Sequence, residues 1–274
     1  KLESYKNIIR EALKIDKELQ VKDISEIEKI ISTYNYKELI ELDEELSENL
    51  LTINERLFIL SFSKTQKTRD EIIEKFEDID SGNEDMAALW LEVNTWKSLV
   101  AINGEHHVKR NFKLEEDLTP RSFAPGVGNT PDMEVYVNGY ILIPEVSLMS
   151  GVKQWIHEGS SVIDHVLSFI NKYKEKKVFG IFVSKAINVR TMWQFFVLNR
   201  ESWVGKNVPV IPLTIKQYIN IIKFIYEHEL DIHVFIDLIV KINENALSSP
   251  GYVQWESSIE KIIENWKAEV LFFP

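Results

Sequence analysis

The chain has 274 residues, of which 45% are hydrophobic and seven are tryptophan, so it has ample material for a folded core. It contains no cysteine, which excludes disulfides and thiolate metal sites and favours a cytoplasmic protein. No apolar run reaches the roughly 18 residues of a membrane span, and no signal peptide opens the sequence. We therefore expect no membrane partner. The chain begins at Lys1 without a methionine, which predicts a fragment of a longer protein.

The net charge of -11 is unevenly distributed along the chain. Residues 1–85 hold 13 basic and 22 acidic side chains, whereas residues 86–274 hold 19 and 21. The overall charge argues against a protein that grips nucleic acid over its whole surface. An acidic segment before a nearly neutral one predicts two units with different tasks.

Residues 1–82 are predicted to form a small all-helical domain. Helical periodicity marks five segments, at 2–13, 23–33, 36–46, 53–61 and 68–77. Thr52 and Glu55 have the spacing of a capping box, which predicts the start of the fourth helix. The short polar run at 80–83 is the predicted domain boundary, which leaves residues 83–274 as a second domain.

The second domain is predicted to alternate helices with strands. In chain order we expect a helix at 84–102, a strand or an ordered approach to the hairpin at 106–114, a loop at 123–130, two β-rich runs at 133–137 and 140–143, an amphipathic helix at 152–171, a buried strand at 178–185, a helix at 188–198, a strand at 208–214, and helices at 215–229, 232–246 and 254–269. This order predicts an α/β fold, with a mixed sheet that is flanked by helices.

The two β-rich runs predict a hairpin that brings two acids together. Asn138-Gly139 separates the runs and is the strongest short-range signal for a two-residue turn. If the turn is tight, Val137 pairs with Tyr140, and counting outward puts Asp132 opposite Glu145, with Cβ atoms roughly 5 Å apart. Carboxylates so placed repel each other unless a cation lies between them, and Mg²⁺ binds oxygen pairs of this kind.

Two other interpretations of the hairpin remain open. An acidic pair across a solvent-exposed hairpin requires no metal. Pro144, moreover, favours an edge strand or a bulge, and a bulge would shift the pairing by one residue.

The residues around the two acids resemble a nuclease signature. The spacing Asp132-x12-Glu145-x-Ser147 is similar to the PD-(D/E)XK motif, with serine where most members have lysine. The runs 142–148 (LIPEVSL) and 150–159 (SGVKQWIHEG), followed by His165, resemble the cleavage domain of the AlwI-type and nicking-type IIS restriction endonucleases. In that branch, as the resemblance implies, a serine or threonine follows the second acid and a further glutamate lies on the next helix. The match covers about residues 86–185.

The resemblance implies a restriction-endonuclease-like fold that hydrolyses DNA phosphodiester bonds with Mg²⁺ or Mn²⁺. Asp132 and Glu145 would bind the metal, with the Val146 carbonyl as a further oxygen. Glu158 would take the role of the missing lysine and position the attacking water. Glu92, on the first helix of the domain, would reach the cluster or help to hold a second ion; alternatively, it is a boundary residue that extends to solvent.

Several polar residues near these acids are candidate contacts to phosphate or DNA, with ordinary surface or core-edge roles as the alternative: Lys109, Arg110, Ser147, Lys153, Gln154 and His165.

The predicted substrate is double-stranded DNA, although the chain shows no basic recognition helix and has no cysteines for a zinc finger. We therefore expect a DNA-recognition domain that precedes this chain. Because one such site cuts one strand at a time, a second cleavage domain or a small subunit is the further expected partner. The chain is expected to be a monomer, with a pairing surface around Trp255, Trp266 and Phe272-Phe273.

Two alternative functions remain at this stage. One is another PD-(D/E)XK nuclease that acts in repair or on RNA. The other is a non-enzymatic helical interaction protein in which the hairpin acids are incidental.

Overall fold

A computed structural model describes all residues except 18, 20, 22, 122–129, 203–204 and 273–274. The chain divides into two compact units: unit 1 comprises Lys1–Thr68 and Lys113–Ala124, and unit 2 comprises Arg69–Phe112 and Pro125–Pro274. The predicted loop at 123–130 lies, apart from its last residue, outside the described residues. The division of function after residue 82 stays a prediction.

Unit 1 is helical, as its sequence predicts. It holds α1 (Leu2–Ile15), α2 (Ile24–Ile30), a 3₁₀ turn (Ile31–Thr33), α3 (Tyr36–Leu57) and a π-helical turn (Phe58–Phe62), and the chain passes into unit 2 within α4 (Gln66–Ser81). The core is a cluster of apolar side chains from α1, α2 and α3: Tyr5, Ile9, Ala12, Ile27, Leu42, Leu46, Leu50, Ile53 and Leu57.

The predicted break between helices 36–46 and 53–61 is wrong, because α3 runs through it. The apolar stripe continues in phase across the expected break and keeps the helix packed against the unit 1 core. Thr52 therefore does not cap a helix; its hydroxyl donates to the Glu48 carbonyl one turn back, at 2.9 Å. The capping box of α3 is formed by Asn35 and Glu38 instead.

Within the described residues, unit 2 contains a five-stranded mixed sheet in the order β1-β2-β3-β4-β5. The pairs β1–β2 and β2–β3 are antiparallel, and β3–β4 and β4–β5 are parallel. The strands are β1 (His107–Arg110), β2 (Met133–Val137), β3 (Tyr140–Ser147), β4 (Lys177–Ser184) and β5 (Val210–Thr214). The predicted mixed sheet is confirmed.

Helices flank this sheet, namely α5 (Ala87–Val100), α6 (Gly151–Lys153), α7 (Gly159–Lys172), α8 (Val189–Arg200), α9 (Ile215–Glu227), α10 (Ile232–Ser248) and α11 (Tyr252–Phe272). A π-helical turn, Gln154–Glu158, joins α6 to α7. The predicted helix at 152–171 is thus continuous but carries a widened turn in its first half. Within the described part of the chain, no helix has the length and apolar character needed to cross a membrane.

The C-terminal tryptophans are core residues, which corrects the predicted pairing surface. Trp255 and Trp266 are both fully buried. Trp255 packs against Phe196 of α8, and Trp266 packs against Phe224 of α9, with ring centroids 5.8 and 5.3 Å apart. Of the predicted surface only Phe272 is exposed, and its neighbour at 273 lies outside the described residues.

The close approach of α7 to the sheet generates a stability prediction. A methyl group at Gly180 of β4 would lie 2.6 Å from Val166 Cγ2 of α7 and 3.1 Å from Val210 Cγ2 of β5. We expect Gly180→Ala to lower the free energy of unfolding by about 1–3 kcal/mol through overpacking, as measured by urea denaturation. Gly180→Ala should be less destabilising when Val166→Ala is also present, because the clashing methyl group is then absent. An equal loss of stability from Gly180→Ala with and without Val166→Ala would contradict this packing.

Candidate functional site

The hairpin between β2 and β3 has the predicted register. Val137 pairs with Tyr140 across a two-residue turn, in which Gly139 has a φ of +76°. Val135 pairs with Leu142, so the pairing is not shifted by one residue. Pro144 lies in the central strand β3, where its pairing with Ile181 of β4 is regular. The edge position that Pro144 favours is therefore wrong, while the described β2–β3 pairs end before the proline.

Asp132 and Glu145 meet just beyond the last of these pairs. The Asp132 backbone N–H donates to Glu145 Oε2 at 3.3 Å, and the Val146 N–H donates to Asp132 Oδ2 at 2.9 Å. Glu145 is 6% exposed, and Asp132 is partly buried. The hairpin thus brings both acids to one end of the sheet, as the sequence predicts.

Two neighbouring polar residues, Ser147 and His165, hold the acids, and their contacts to DNA stay predictions. His165 of α7 is buried, and its Nδ1 lies 2.5 Å from Glu145 Oε1. The Ser147 hydroxyl, 7% exposed, donates to Glu158 Oε1 at 2.9 Å and accepts from the Met149 N–H. Burial works to lower the pKa of His165, but the hydrogen bond and charge of Glu145 outweigh it and raise that pKa.

Gln154 is also a structural residue and not an exposed contact. Its side chain is fully buried, and its amide nitrogen lies within 3.0 Å of three acceptors, the Met149 and Ala186 carbonyls and the Ser184 hydroxyl. Its carbonyl accepts from the Asn188 N–H at 2.7 Å. The amphipathic helix predicted at 152–171 assumed a regular α-helical period. The π turn changes the phase, and it anchors Gln154 in the core while Glu158 faces Ser147.

The four predicted acids form one electrostatic cluster. The carboxylates of Glu92, Asp132, Glu145 and Glu158 repel one another in each of the six pairs that they form. Burial, then the charges of Glu145 and Glu158, raise the pKa of Glu92 to about 7. Burial and the charges of Glu145 and Glu92 raise the pKa of Asp132 well above its usual range. Burial also raises the pKa of Glu145, although His165 opposes the rise.

The other predicted contacts lie on exposed or partly exposed positions. Lys109 of β1 donates to Glu134 Oε1 at 2.7 Å, and Arg110 donates to the Phe112 carbonyl at 2.6 Å. Lys153 is exposed on α6, five residues before Glu158. Their contacts to DNA stay predictions.

Sequence reasoning missed the β1 side of the site. Asn111, which follows β1, hydrogen-bonds to Pro131, Asp132 and Glu134. Glu134 is 5% exposed and also accepts from Lys109 and the Tyr136 hydroxyl. The one signal in the sequence was an acid within the apolar run MEVYV. The hydrogen-bond partners of this acid could not be predicted from the sequence, because β1 and β2 are too far apart along the chain for a tight turn to fix their register.

The carboxylates of the cluster suit a hard cation, but oxygens of Asp132 and Glu145 already accept hydrogen bonds within the protein. Carboxylates are the ligands that Mg²⁺ prefers. Among the residues that the structure describes, no three His, Asp or Glu side chains form a group that could hold a metal ion as they stand. Asp132 Oδ2 accepts from Val146, and Glu145 Oε1 is bound to His165. An incoming ion must therefore replace at least one protein hydrogen bond. The predicted carbonyl ligand, Val146, is adjacent to Glu145 in β3.

Comparison with known proteins finds similarity to restriction endonucleases. The AlwI restriction endonuclease family model matches residues 2–221. Among solved structures, a similar fold is found in the small subunit R.BspD6I2 of the heterodimeric restriction endonuclease R.BspD6I. The TM-score is 0.60 at 21% identity, over 72% of this chain and 98% of that chain. No curated protein matches the sequence. At this identity the structural likeness shows the fold alone.

The repulsion among the acids predicts a specific pH dependence of stability. Glu92 ionises near pH 4.5 when unfolded and near pH 7 when folded. Its stabilising contribution is therefore fully present below about pH 4.5 and is lost as the pH rises through about 7. With EDTA present, we expect the melting temperature to fall between about pH 5 and pH 8, and Glu92→Gln to reduce that fall.

Glu244→Gln, at an exposed glutamate on α10, is the matched control and should leave the slope unchanged. Equal slopes for the wild type and Glu92→Gln would show that Glu92 does not contribute to the cluster.

Proposed function

Because the chain belongs to the AlwI restriction endonuclease family, we propose that this restriction-type endonuclease is the Mg²⁺- or Mn²⁺-dependent cleavage part of a type IIS or nicking enzyme. We further propose a PD-(D/E)XK-like site for DNA phosphodiester hydrolysis. The observation that carries this proposal is the cluster of four mutually repulsive carboxylates at one end of the sheet. Family membership also favours restriction over the repair, RNA and non-enzymatic alternatives.

The energetics of the cluster support a cation as its missing partner. Buried charges are expensive unless they are paired or bind a metal. His165 is the one basic side chain bonded directly to an acid of the cluster within the described residues. It compensates Glu145 alone and leaves Glu92, Asp132 and Glu158 without a cationic partner in this part of the structure. A divalent cation supplies the charge that the cluster lacks.

Asp132 and Glu145 are the proposed ligands, with the Val146 carbonyl as a third oxygen. When bound, the ion would lower the pKa of the attacking water and neutralise charge on the phosphate. His165 keeps Glu145 Oε1 occupied, which leaves Oε2 directed toward Asp132.

Glu158 is the proposed residue that orients the attacking water and accepts its proton. Its Oε1 accepts a hydrogen bond from the Ser147 hydroxyl, so the carboxylate is fixed in direction and Oε2 remains for water. In this arrangement serine and glutamate together replace the lysine of the broader signature. Glu92 would complete the cluster from α5 or help to hold a second ion.

Asp132→Ala tests the proposal directly. We expect it to abolish divalent-ion binding in calorimetry and to reduce DNA cleavage by at least about 100-fold, because the variant loses a ligand oxygen of the ion. Asp237→Ala, at an exposed aspartate on α10, is the matched control and should bind and cleave as the wild type does. Unchanged ion affinity in Asp132→Ala would refute the metal site.

The proposed partners are double-stranded DNA, a recognition domain outside this chain, and a second cleavage domain or subunit. The structurally similar R.BspD6I2 is the small subunit of a heterodimeric enzyme, which supports the last of these. A surface for pairing lies beside Glu158. Five apolar side chains on or next to α6, the π turn and α8 are about half exposed there: Met149, Val152, Ile156, Val189 and Trp193.

We propose that this apolar surface, and not the C-terminal tryptophans, contacts the second cleavage domain. The π turn and α8 pack side by side, with the Arg190 guanidinium over the Trp155 ring at 5.2 Å. The π turn that carries Ile156 also carries Glu158, so pairing there would place two sites close together. Five side chains are few beside the roughly 20–30 residues per partner of a stable interface. Pairing should therefore require DNA, in agreement with the expected monomer.

Plasmid cleavage by the full enzyme tests this surface. Val152→Asp should leave the conversion of supercoiled to nicked plasmid intact and slow the appearance of linear plasmid by about tenfold or more, since a buried unpaired charge costs several kcal/mol. Val253→Asp, at an exposed valine of α11, serves as the control. Linear product at the wild-type rate from Val152→Asp would exclude the surface.

A further inference from the structure

Asn111 holds the backbone on both sides of Asp132. Its own N–H donates to the Asp132 carbonyl at 2.9 Å, which extends the β1–β2 pairing by one hydrogen bond. Its side-chain amide donates to the Pro131 carbonyl at 2.8 Å. These two carbonyls belong to the peptide units that flank the Asp132 Cα atom. One residue therefore fixes both backbone dihedral angles from which the Asp132 side chain projects.

Asn111 is itself held by a buried carboxylate. The second proton of its amide is directed at Glu134 Oε1, 3.0 Å away. Glu134 is 5% exposed and accepts from Lys109 at 2.7 Å and from the Tyr136 hydroxyl. With three donors on one buried carboxylate, its direction is determined, and with it the direction of the amide.

The two sides of Asp132 are thus held by different strands. On the β3 side, the Val146 N–H holds the carboxylate oxygen Oδ2. On the β1 side, Asn111 holds the backbone. If an ion replaces the Val146 hydrogen bond, the two Asn111 hydrogen bonds continue to hold the Asp132 backbone in place.

We propose that Asn111, supported by Glu134, is a positioning residue for Asp132 and sets the affinity of the site for its divalent cation. This inference rests on the proposed role of Asp132 as a ligand. Asn111 touches no reacting atom, so its loss should weaken ion binding and leave the chemical step nearly intact once the ion is saturating.

Mn²⁺ binding to the full chain provides the test. Partners that orient a metal ligand typically change metal affinity by about 10–100-fold when they are removed. We expect Asn111→Ala to raise the Mn²⁺ dissociation constant in calorimetry by about tenfold or more. The Mn²⁺ concentration for half-maximal cleavage should rise in parallel, while the cleavage rate at saturating Mn²⁺ stays within about threefold of the wild type, because Asn111 does not reach the substrate.

Asn199→Ala is the matched control. The Asn199 amide also holds two backbone carbonyls, those of Phe195 and Val210, each at 2.8 Å, but it joins α8 to β5 and lies outside the acidic cluster. It should lower the melting temperature as Asn111→Ala does, or by more, with no change in Mn²⁺ affinity.

Glu134 provides a second pair of variants. Glu134→Gln keeps an acceptor for the Asn111 amide, whereas Glu134→Ala removes it. The glutamine should retain most of the Mn²⁺ affinity that the alanine loses. A merely structural role for Glu134 would instead lower the melting temperature without separating the two variants in Mn²⁺ affinity.

The outcomes distinguish this inference from the proposed function. If Asp132→Ala loses Mn²⁺ but Asn111→Ala binds it as Asn199→Ala does, Asn111 is not a positioning residue and the proposed metal site stands. If the wild type binds no Mn²⁺, the proposed function fails, and this inference fails with it.

Discussion

The chemistry of unit 2 depends on one constraint: the tight turn at Asn138-Gly139 forces two carboxylates to the same end of a buried hairpin. Repulsion between these two like charges opposes folding, and two further acids, Glu92 and Glu158, increase the repulsion. The fold tolerates the cluster because neutral donors and one histidine hold the acids from β1, β3 and α7. A protein keeps an arrangement of this cost where it serves function.

The fold could be predicted where local rules decide it and not where distant partners do. The hairpin register follows from a two-residue turn, and the buried strand β4 from its apolar run, so both could be read from the sequence. Trp255 and Trp266, by contrast, are buried against Phe196 and Phe224. Because those rings come from other helices, periodicity within the C-terminal segment could not show that the tryptophans are buried.

The same distinction applies to the site. The acids at 132 and 145 follow from the turn, and resemblance to a family supplied Glu92 and Glu158, but the contacts of Gln154, Ser147 and His165 required the structure. A π turn adds a residue to one helical turn, and its position depends on tertiary anchors that a periodic pattern lacks. Asn111 was missed for a related reason, since residues 111–132 separate the partner strands β1 and β2, and a connection of that length does not set their register as a two-residue turn does.

The most direct test of the proposed metal site is to locate Mn²⁺ by anomalous diffraction in crystals of the chain. We expect one strong peak between the carboxylates of Asp132 and Glu145, in contact with the Val146 carbonyl oxygen. The hydrogen bond between the Val146 N–H and Asp132 should then be lost. A structure at saturating Mn²⁺ in which Asp132, Glu145 and Glu158 keep their protein hydrogen bonds, with no ion among the acids, would contradict the proposed metal site.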